Sequence, residues 1–444
     1  VVRPLLLTLG LGVFAGALDL SVLSPALPAI GRELGVATSD LAWIFTLYLL
    51  ASIVSIAVAG ALADRLGRRS VYLGCIALFA AGSVLAMAAP NFAVLLTARA
   101  LQALGAGGVF PVATAAIGDV VPRERRGAAL GLVAATWGLA AVIGPTFGGI
   151  VTHFASWRWV FAPNLPIALG VFALARIHVP SLAPRRREPF DGVGLFLLCA
   201  GLLALTDGLI TSRASIGILG VTALAGFALW EQRVAEYPVV PTALFRTPQL
   251  AKTYALEITI GMLEGALFFI PTVLVGAQGL STAAAGAIAA LGALTFVTVI
   301  PAAGRALDRI GSRDVLLIGT ILTELGLGIF ALGFGSLWLA LLSMVVAGAG
   351  FGALLGAPTR YIVTNETPEN VRGTAVALLS QCLIVGQIVG SAVAGGLIGL
   401  ATNELLGYRH AYLAFCAIAF VALILAASLK SRRDERTQPI AEAA

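Results

Sequence analysis

Apolar and polar positions in this chain alternate on the scale of whole helices rather than single residues. Apolar runs fall roughly at 4–30, 41–63, 71–89, 92–118, 127–152, 157–179, 190–210, 215–230, 250–275, 282–303, 315–334, 337–364, 374–401 and 411–429. About 20 apolar residues in a helix cross the ~30 Å hydrocarbon core of a bilayer. A spanning β-barrel would instead show ~10-residue segments of alternating character, and the runs do not alternate. The pattern predicts fourteen spanning helices, with both termini on one side. The shortest run, 215–230, ends in the polar cluster Glu231–Gln232–Arg233.

Composition agrees with that pattern. Apolar residues make up 59% of the chain and charged residues 11%, against roughly 25% charged in soluble domains, and mean hydropathy is +0.98. The first run is long enough to remain as a span, so no cleaved signal is required. Cys75, Cys199, Cys382 and Cys416 all lie inside apolar runs and read as packing residues. The histidines 153, 178 and 410 are scattered at run ends, so no metal site is expected. The pI near 9.5 reflects where the positive charges sit. Of the 28 basic residues, 23 fall on the side that carries both termini, four fall on the other side, and Arg99 lies within a run. The positive-inside rule makes the heavy side cytoplasmic, and the expected location is the inner or plasma membrane.

The chain also repeats itself. The charged turn GALADRLGRR at 60–69 returns as GRALDRIGSR at 304–313, with Asp64 matched to Asp308 and Arg65 to Arg309 at an offset of 244 residues. DVVPRERRGAA at 119–129 matches NETPENVRGTA at 365–375 at an offset of 246. Six spans with short loops occupy about 180–190 residues. The excess of about 60 fits two spans inserted between the halves. The expected organisation is a six-helix bundle at 1–180, two inserted helices with their linkers at 181–240, and a second six-helix bundle with a tail at 241–444.

The turn at 60–69 resembles the signature loop of the major facilitator superfamily. Further motifs resemble its fourteen-span drug:proton antiporter branch: LDLSVLSPALPAI at 18–30, RALQALGAGG at 99–108, GLAAVIGPTFGG at 138–149 and SWRWVFAPNLP at 156–166. The resemblance covers essentially the whole chain. It departs from the branch at Ser21 and Ser24, where Thr and Asn are more usual. It implies an all-α polytopic membrane protein of the major facilitator fold, two pseudo-symmetric six-helix bundles plus two extra helices. Substrate would bind between the halves near the midplane. Gly138, Gly144, Pro145, Gly148 and Gly149 correspond to the antiporter motif. There, missing side chains let a neighbouring backbone approach, and a proline withholds a helix hydrogen bond. Gly60, Asp64, Arg65, Gly67 and Arg68, with Asp308 and Arg309 in the second copy, correspond to a cytoplasmic gate.

Charges inside apolar runs are the sharpest functional signal, because an unpaired charge in hydrocarbon costs several kcal/mol. They are Asp19, Arg99, Asp207, Glu257, Glu264 and Glu324. Counted at ~1.5 Å per residue from their run ends, Asp19 and Arg99 share a depth, so they are placed to pair. Glu264 falls within one residue of the position symmetric to Asp19. Glu257 lies seven residues earlier, on the same helix face. Asp19, Arg99, Glu264 and Glu257 are therefore the candidates for proton coupling. Glu324 reads either as a cavity group or as a helix–helix hydrogen-bonding residue, and Asp207 as interfacial. Candidate cavity-lining positions are Trp43, Gln102, Phe268, Glu324, Tyr361, Gln381 and Gln387.

No Gly-x-x-x-x-Gly-Lys phosphate loop, nucleophile set or metal-ligand cluster is present, so neither an enzyme nor a cofactor is expected. The leading reading is a proton-coupled antiporter exporting small lipophilic or monocationic compounds by alternating access. Alternatives are a lipid or glycolipid flippase on the same fold and a non-transporting membrane sensor. The expected partners are a small lipophilic substrate, protons and membrane lipids, without nucleic acid, and the expected state is a monomer. If the turn at 60–69 is a gate, Asp64→Asn will sharply reduce transport without lowering expression or folding. The Asp308 counterpart, beside Ser312 in place of an arginine, will show a smaller effect. Wild-type transport rates in Asp64→Asn proteoliposomes would refute the gate.

Overall fold

The computed structural model describes residues 2–181, 191–236, 238–240, 242–333, 335–368, 371–401 and 403–432. Among them there are helices and no strands, and fourteen helical stretches are long and apolar enough to cross a membrane. The expected count of spans therefore appears, including the short run at 215–230, which folds as the helix Ala214–Arg233. The chain divides into two compact units, Val1–Cys199 with Ser281–Ala290, and Ala200–Leu280 with Leu291–Ala444.

In the first unit the helices are α1 (Val2–Ser21), α2 (Leu27–Leu34), α3 (Ala42–Leu66), α4 (Arg68–Met87), α5 (Phe92–Val120), α6 (Arg123–Phe154) and α7 (Asn164–His178). α1 and α2 are one span interrupted by a short 3-10 turn at Ser24–Ala26. Pro25 and Pro28 cause the break, since neither can donate a helical hydrogen bond. α5 starts on an Asn91 cap, whose side chain accepts from the Val94 N–H at 3.0 Å. α3 and α4 meet at Gly67, whose φ of +87° favours glycine. α1 packs on α6 and α7, and α5 packs between α3 and α4. A Cβ at Gly105 would strike the backbone of Cys75 and Phe79 on α4, and one at Gly107 the backbone of Ser52 on α3. α5 thus approaches each neighbour through a missing side chain.

In the chain after residue 181 the helices are α8 (Gly192–Ile210), α9 (Ala214–Arg233), α10 (Pro248–Leu267), α11 (Ile270–Gln278), α12 (Thr282–Ile310), α13 (Ser312–Gly333), α14 (Leu337–Leu354), α15 (Pro358–Glu366), α16 (Arg372–Leu400) and α17 (Glu404–Ala427). α8 and α9 form a hairpin in which Gly208 lies against Gly217 and Gly220 against the Leu205 backbone. Gly396 of α16 seats on the Leu209 carbonyl of α8. The α10–α11 break at Pro271 repeats the α1–α2 break at Pro25, 246 residues on. The repeat is not uniform, because α5 runs unbroken past Pro111 whereas the matching span is interrupted between α14 and α15. Buried tyrosine hydroxyls tie neighbouring helices to one another. Tyr254 donates to the Ala375 carbonyl at 3.1 Å and Tyr412 to the Ala266 carbonyl at 2.9 Å.

α10 crosses α16 closely through glycines on both helices. A Cβ on Gly386 would meet the Ile258 carbonyl and the Gly261 Cα, and a Cβ on Gly265 the backbone of Gln387, Gly390 and Ser391. Backbone cannot rotate away as a side chain can. Gly386→Ala is therefore expected to destabilise by about 1–3 kcal/mol. Gly74→Ala, with nothing within 4 Å of the new methyl, is expected to be neutral or slightly stabilising. Melting temperatures of the purified variants check both; equal melting of the two would contradict the packing account.

Candidate functional site

Four helices of the first unit converge on Asp19. Its Oδ2 lies 2.5 Å from Arg99 Nη1. Its Oδ1 accepts from Gln102 Nε2 at 2.9 Å and from Asn164 Nδ2 at 2.7 Å. Ser83 Oγ accepts from both amides, at 2.9 and 3.1 Å, while it donates to the Phe79 carbonyl at 2.9 Å. Arg99 and Gln102, three residues apart on one face of α5, also bond each other at 2.8 Å. All five side chains are buried. Asp19 comes from α1, Ser83 from α4, Arg99 and Gln102 from α5, and Asn164 from the first residue of α7.

The charges balance within this cluster. The Arg99 guanidinium lies over the Tyr48 ring of α3, 4.1 Å from its centroid, a contact worth about 2 kcal/mol when water is excluded. Arg99 Nε and Nη2 have no hydrogen-bond partner among the described residues. Asp19 thus takes three donors on its two oxygens, while two Arg99 guanidinium nitrogens have no acceptor among the described residues.

α1 is held beside this cluster by the glycines at 144 and 148. A Cβ on Gly144 would overlap Ser21, and one on Gly148 the Val22 carbonyl, both at the break in α1. Ser21 Oγ is within hydrogen-bonding distance of the Leu18 and Ala140 carbonyls, at 3.0 Å each. Gly149 lies against Thr282 and Gly286 at the start of α12, and Thr282 Oγ1 donates to the Gly149 carbonyl at 3.2 Å. Pro145 is buried and α6 is continuous across it; Gly138 is half-buried.

At the turn between α3 and α4, Gly67 is buried, Gly60 faces open space and Arg65 is exposed. Arg68 Nε pairs with Asp119 Oδ2 of α5 at 3.2 Å, and Arg69 Nε donates to the Val179 carbonyl at 2.5 Å. The side chain of Asp64 lies outside the described residues. In the second copy, Asp308 and Arg309 are exposed at the end of α12, and their backbone carbonyls accept from Arg432.

In the second unit, Glu264 is half-buried and accepts from Gln387 Nε2 at 2.9 Å. Glu257 is buried and bonded to Thr359, with Arg360 near enough to act on its charge. Its Oε2 has no partner among the described residues. Among the described residues neither carboxylate forms a salt bridge of the kind Asp19 makes. Glu324 of α13 is half-buried near Cys416 of α17. Trp43, Phe268 and Gln381 are half-buried, and Tyr361 is exposed. Sequence reasoning did not single out Ser83, Asn164 or Tyr48. An asparagine inside an apolar run was the available signal for Asn164. A serine or tyrosine in a span is too common to stand out.

The family model described as Major Facilitator Superfamily matches residues 9–251 and 253–444. The tetracenomycin C resistance and export protein of Streptomyces glaucescens is 32% identical over 421 residues, 90% of this chain and 77% of that one. The multidrug resistance protein Stp of Mycobacterium tuberculosis is 32% identical over 412 residues, 89% of this chain and 76% of that one. Among solved structures, the D-xylose–proton symporter aligns over 98% of this chain and 99% of its own with a TM-score of 0.74 and 16% identity.

The Asp19 cluster has a testable energetic signature. Arg99→Gln leaves a buried carboxylate without its cation, and breaking such a pair costs about 3–5 kcal/mol. Adding Asp19→Asn removes the stranded charge, so the double variant is expected to melt higher than Arg99→Gln alone. A double variant no more stable than the single would show that the pair is not what the cluster depends on.

Proposed function

Because the chain belongs to the major facilitator superfamily of membrane transporters, we propose that it is a proton-coupled exporter of small lipophilic or monocationic compounds. The proposed arrangement has both termini on the cytoplasmic face and proceeds by alternating access, with protons entering as substrate leaves. Export is supported by the similarity to proteins named for resistance and export. Proton coupling rests on one observation: a carboxylate buried among spans and held by donors from α5 and α7, with Arg99 as its cation.

The cycle follows from that geometry. With Asp19 ionised, the Arg99 pair and the two amides draw α1, α5 and α7 together around one carboxylate. A proton reaching Asp19 removes the charge that holds Arg99 and weakens the bonds from the two amides, which loosens α1 from that set. Arg99 is then short of a counter-charge, and a cavity that admits water solvates it better than a closed one. Neutral Asp19 thus favours the opened state and ionised Asp19 the closed one. The proton supplies the differential free energy that any state change requires. The glycine contacts of α6 with Ser21 and Val22 leave a backbone surface over which α1 can shift without lifting bulky side chains.

A second reading places the coupling proton in the second unit. The unpartnered Glu257 Oε2 can take a proton without breaking any bond, and Glu264 lies two turns along the same helix.

The two readings separate in proteoliposomes with an imposed proton gradient and ethidium as a lipophilic monocation. Asp19→Asn, permanently neutral, is expected to reduce uphill transport to the protein-free level, while downhill movement persists. If Asp19→Asn still accumulates the dye and Glu257→Gln or Glu264→Gln does not, the coupling site lies in the second unit. Movement of fluorescent lipid but of no soluble compound would replace the export reading with a flippase.

A further inference from the structure

The two copies of the charged turn differ in one consequential residue, Arg68 in the first and Ser312 in the second. In the first unit, Arg68 at the start of α4 pairs with Asp119 at the end of α5. The equivalent places in the second unit are the start of α13 and the end of α15. An acid is present there, since Glu366 lies one position beyond the residue that the 246-residue offset matches to Asp119. Ser312 has no charge to offer it. Glu366 nevertheless has a cation, because Lys430 Nζ lies 2.6 Å from its Oε1.

Lys430 comes from the segment that follows α17, and that segment is tied to the same end of the unit at several more points. Lys430 N–H donates to Gln249 Oε1 at 3.1 Å, and Lys252 Nζ donates to the Ser428 carbonyl at 2.8 Å. Both partners belong to the first turns of α10. Arg432 donates to the carbonyls of Asp308, at 2.8 Å, and of Arg309. These are terminal carbonyls of α12, where a cation also complements the helix dipole. Gly311, with a φ of +93°, would place any Cβ against the Arg432 side chain. Five residues, 428–432, thus join the ends of α10, α12 and α15.

We propose that this segment replaces the arginine missing from the second turn. It acts as a strap that latches the 304–313 loop, with Lys430 as the positioning residue for Glu366. The inference rests on reading the 60–69 turn as a gate and extends it to the other unit. A partly exposed pair is weak alone, which suits a contact that breaks and re-forms in every cycle.

The test combines hydrogen–deuterium exchange of the purified protein with transport. Lys430→Ala is expected to raise exchange in peptides covering 304–311 and 360–367 by about fivefold, the effect of losing one partly exposed ion pair, and to slow transport. Lys430→Arg should behave as wild type. Ser312→Arg added to Lys430→Ala should restore both properties, as should the exchange of charges in Lys430→Glu with Glu366→Lys, which does not burden the buried site at 312. Unchanged exchange in Lys430→Ala overturns the strap. So does failure of both compensating variants, folded by melting temperature, to restore protection. If exchange responds but transport does not, the Asp64→Asn variant decides what has failed. Transport lost there and kept here overturns the strap's gating role alone; transport kept in both overturns the gate reading itself.

Discussion

A guanidinium surrounded by hydrocarbon needs a counter-charge, and much of the first unit is arranged to bring one to Arg99. An ion stranded among spans costs several kcal/mol, and the attraction between paired ions offsets that only when geometry and supporting hydrogen bonds are good. Asp19 meets both conditions, with three donors on two oxygens. Meeting them demands close helix approach, and side chains larger than hydrogen would prevent it. Gly16 leaves α1 against Ala106 of α5, Gly82 leaves α4 against Gln102, and Gly144 and Gly148 let α6 reach the break in α1. The glycines and the charges are therefore one device. Filling the Gly16 or Gly82 crossing would press α1 or α4 against the helix that carries Arg99 and Gln102.

The second unit repeats the backbone device and changes the chemistry. Pro271 breaks its first span as Pro25 does, and Gly261, Gly265, Gly386 and Gly390 bring α10 onto α16. The donor delivered at that crossing is the neutral amide of Gln387, and its acceptor Glu264 is half-buried. Ser343, Met344 and Val345 stand where the 244–246-residue offset would put a counterpart of Arg99. At these matching crossings the first half holds an ion pair and the second a carboxylate bonded to a neutral amide. On the proposed reading, this asymmetry lets one half sense the proton while the other adapts.

The spans were legible because twenty apolar residues in a row carry one meaning in a bilayer, and the Asp19–Arg99 pair because depth is countable along a helix. Ser83 and Asn164 were not legible. Their role depends on which helices touch and at what rotation, and apolar runs with little amphipathic contrast do not encode rotation. The tie between Lys430 and Glu366 was hidden for another reason. The repeat shows what Ser312 lacks, but a partner supplied from 64 residues beyond Glu366 leaves no trace in local spacing. The arginine that meets Asp119 was visible only as one of several basic residues in the turn.

The ion pairs form a graded series in burial, and the grading bears on the order of events. Asp19 and Arg99 are fully buried, the Arg68–Asp119 side chains are 11% and 10% exposed, and Lys430–Glu366 are 28% and 16% exposed. An exposed pair separates readily, because water solvates both ions as they part. A fully buried pair cannot separate that way while its surroundings stay dry, since each ion would be left in hydrocarbon. It separates cheaply only if one member loses its charge, and only the carboxylate can do so, because arginine stays protonated. On the proposed reading, the outer pairs open by thermal fluctuation whether or not a proton is bound, and the Asp19 cluster does not. The proton requirement is then confined to the innermost contact. On that reading, fluctuations of the less buried pairs cannot by themselves carry the first unit through its transition and dissipate the gradient.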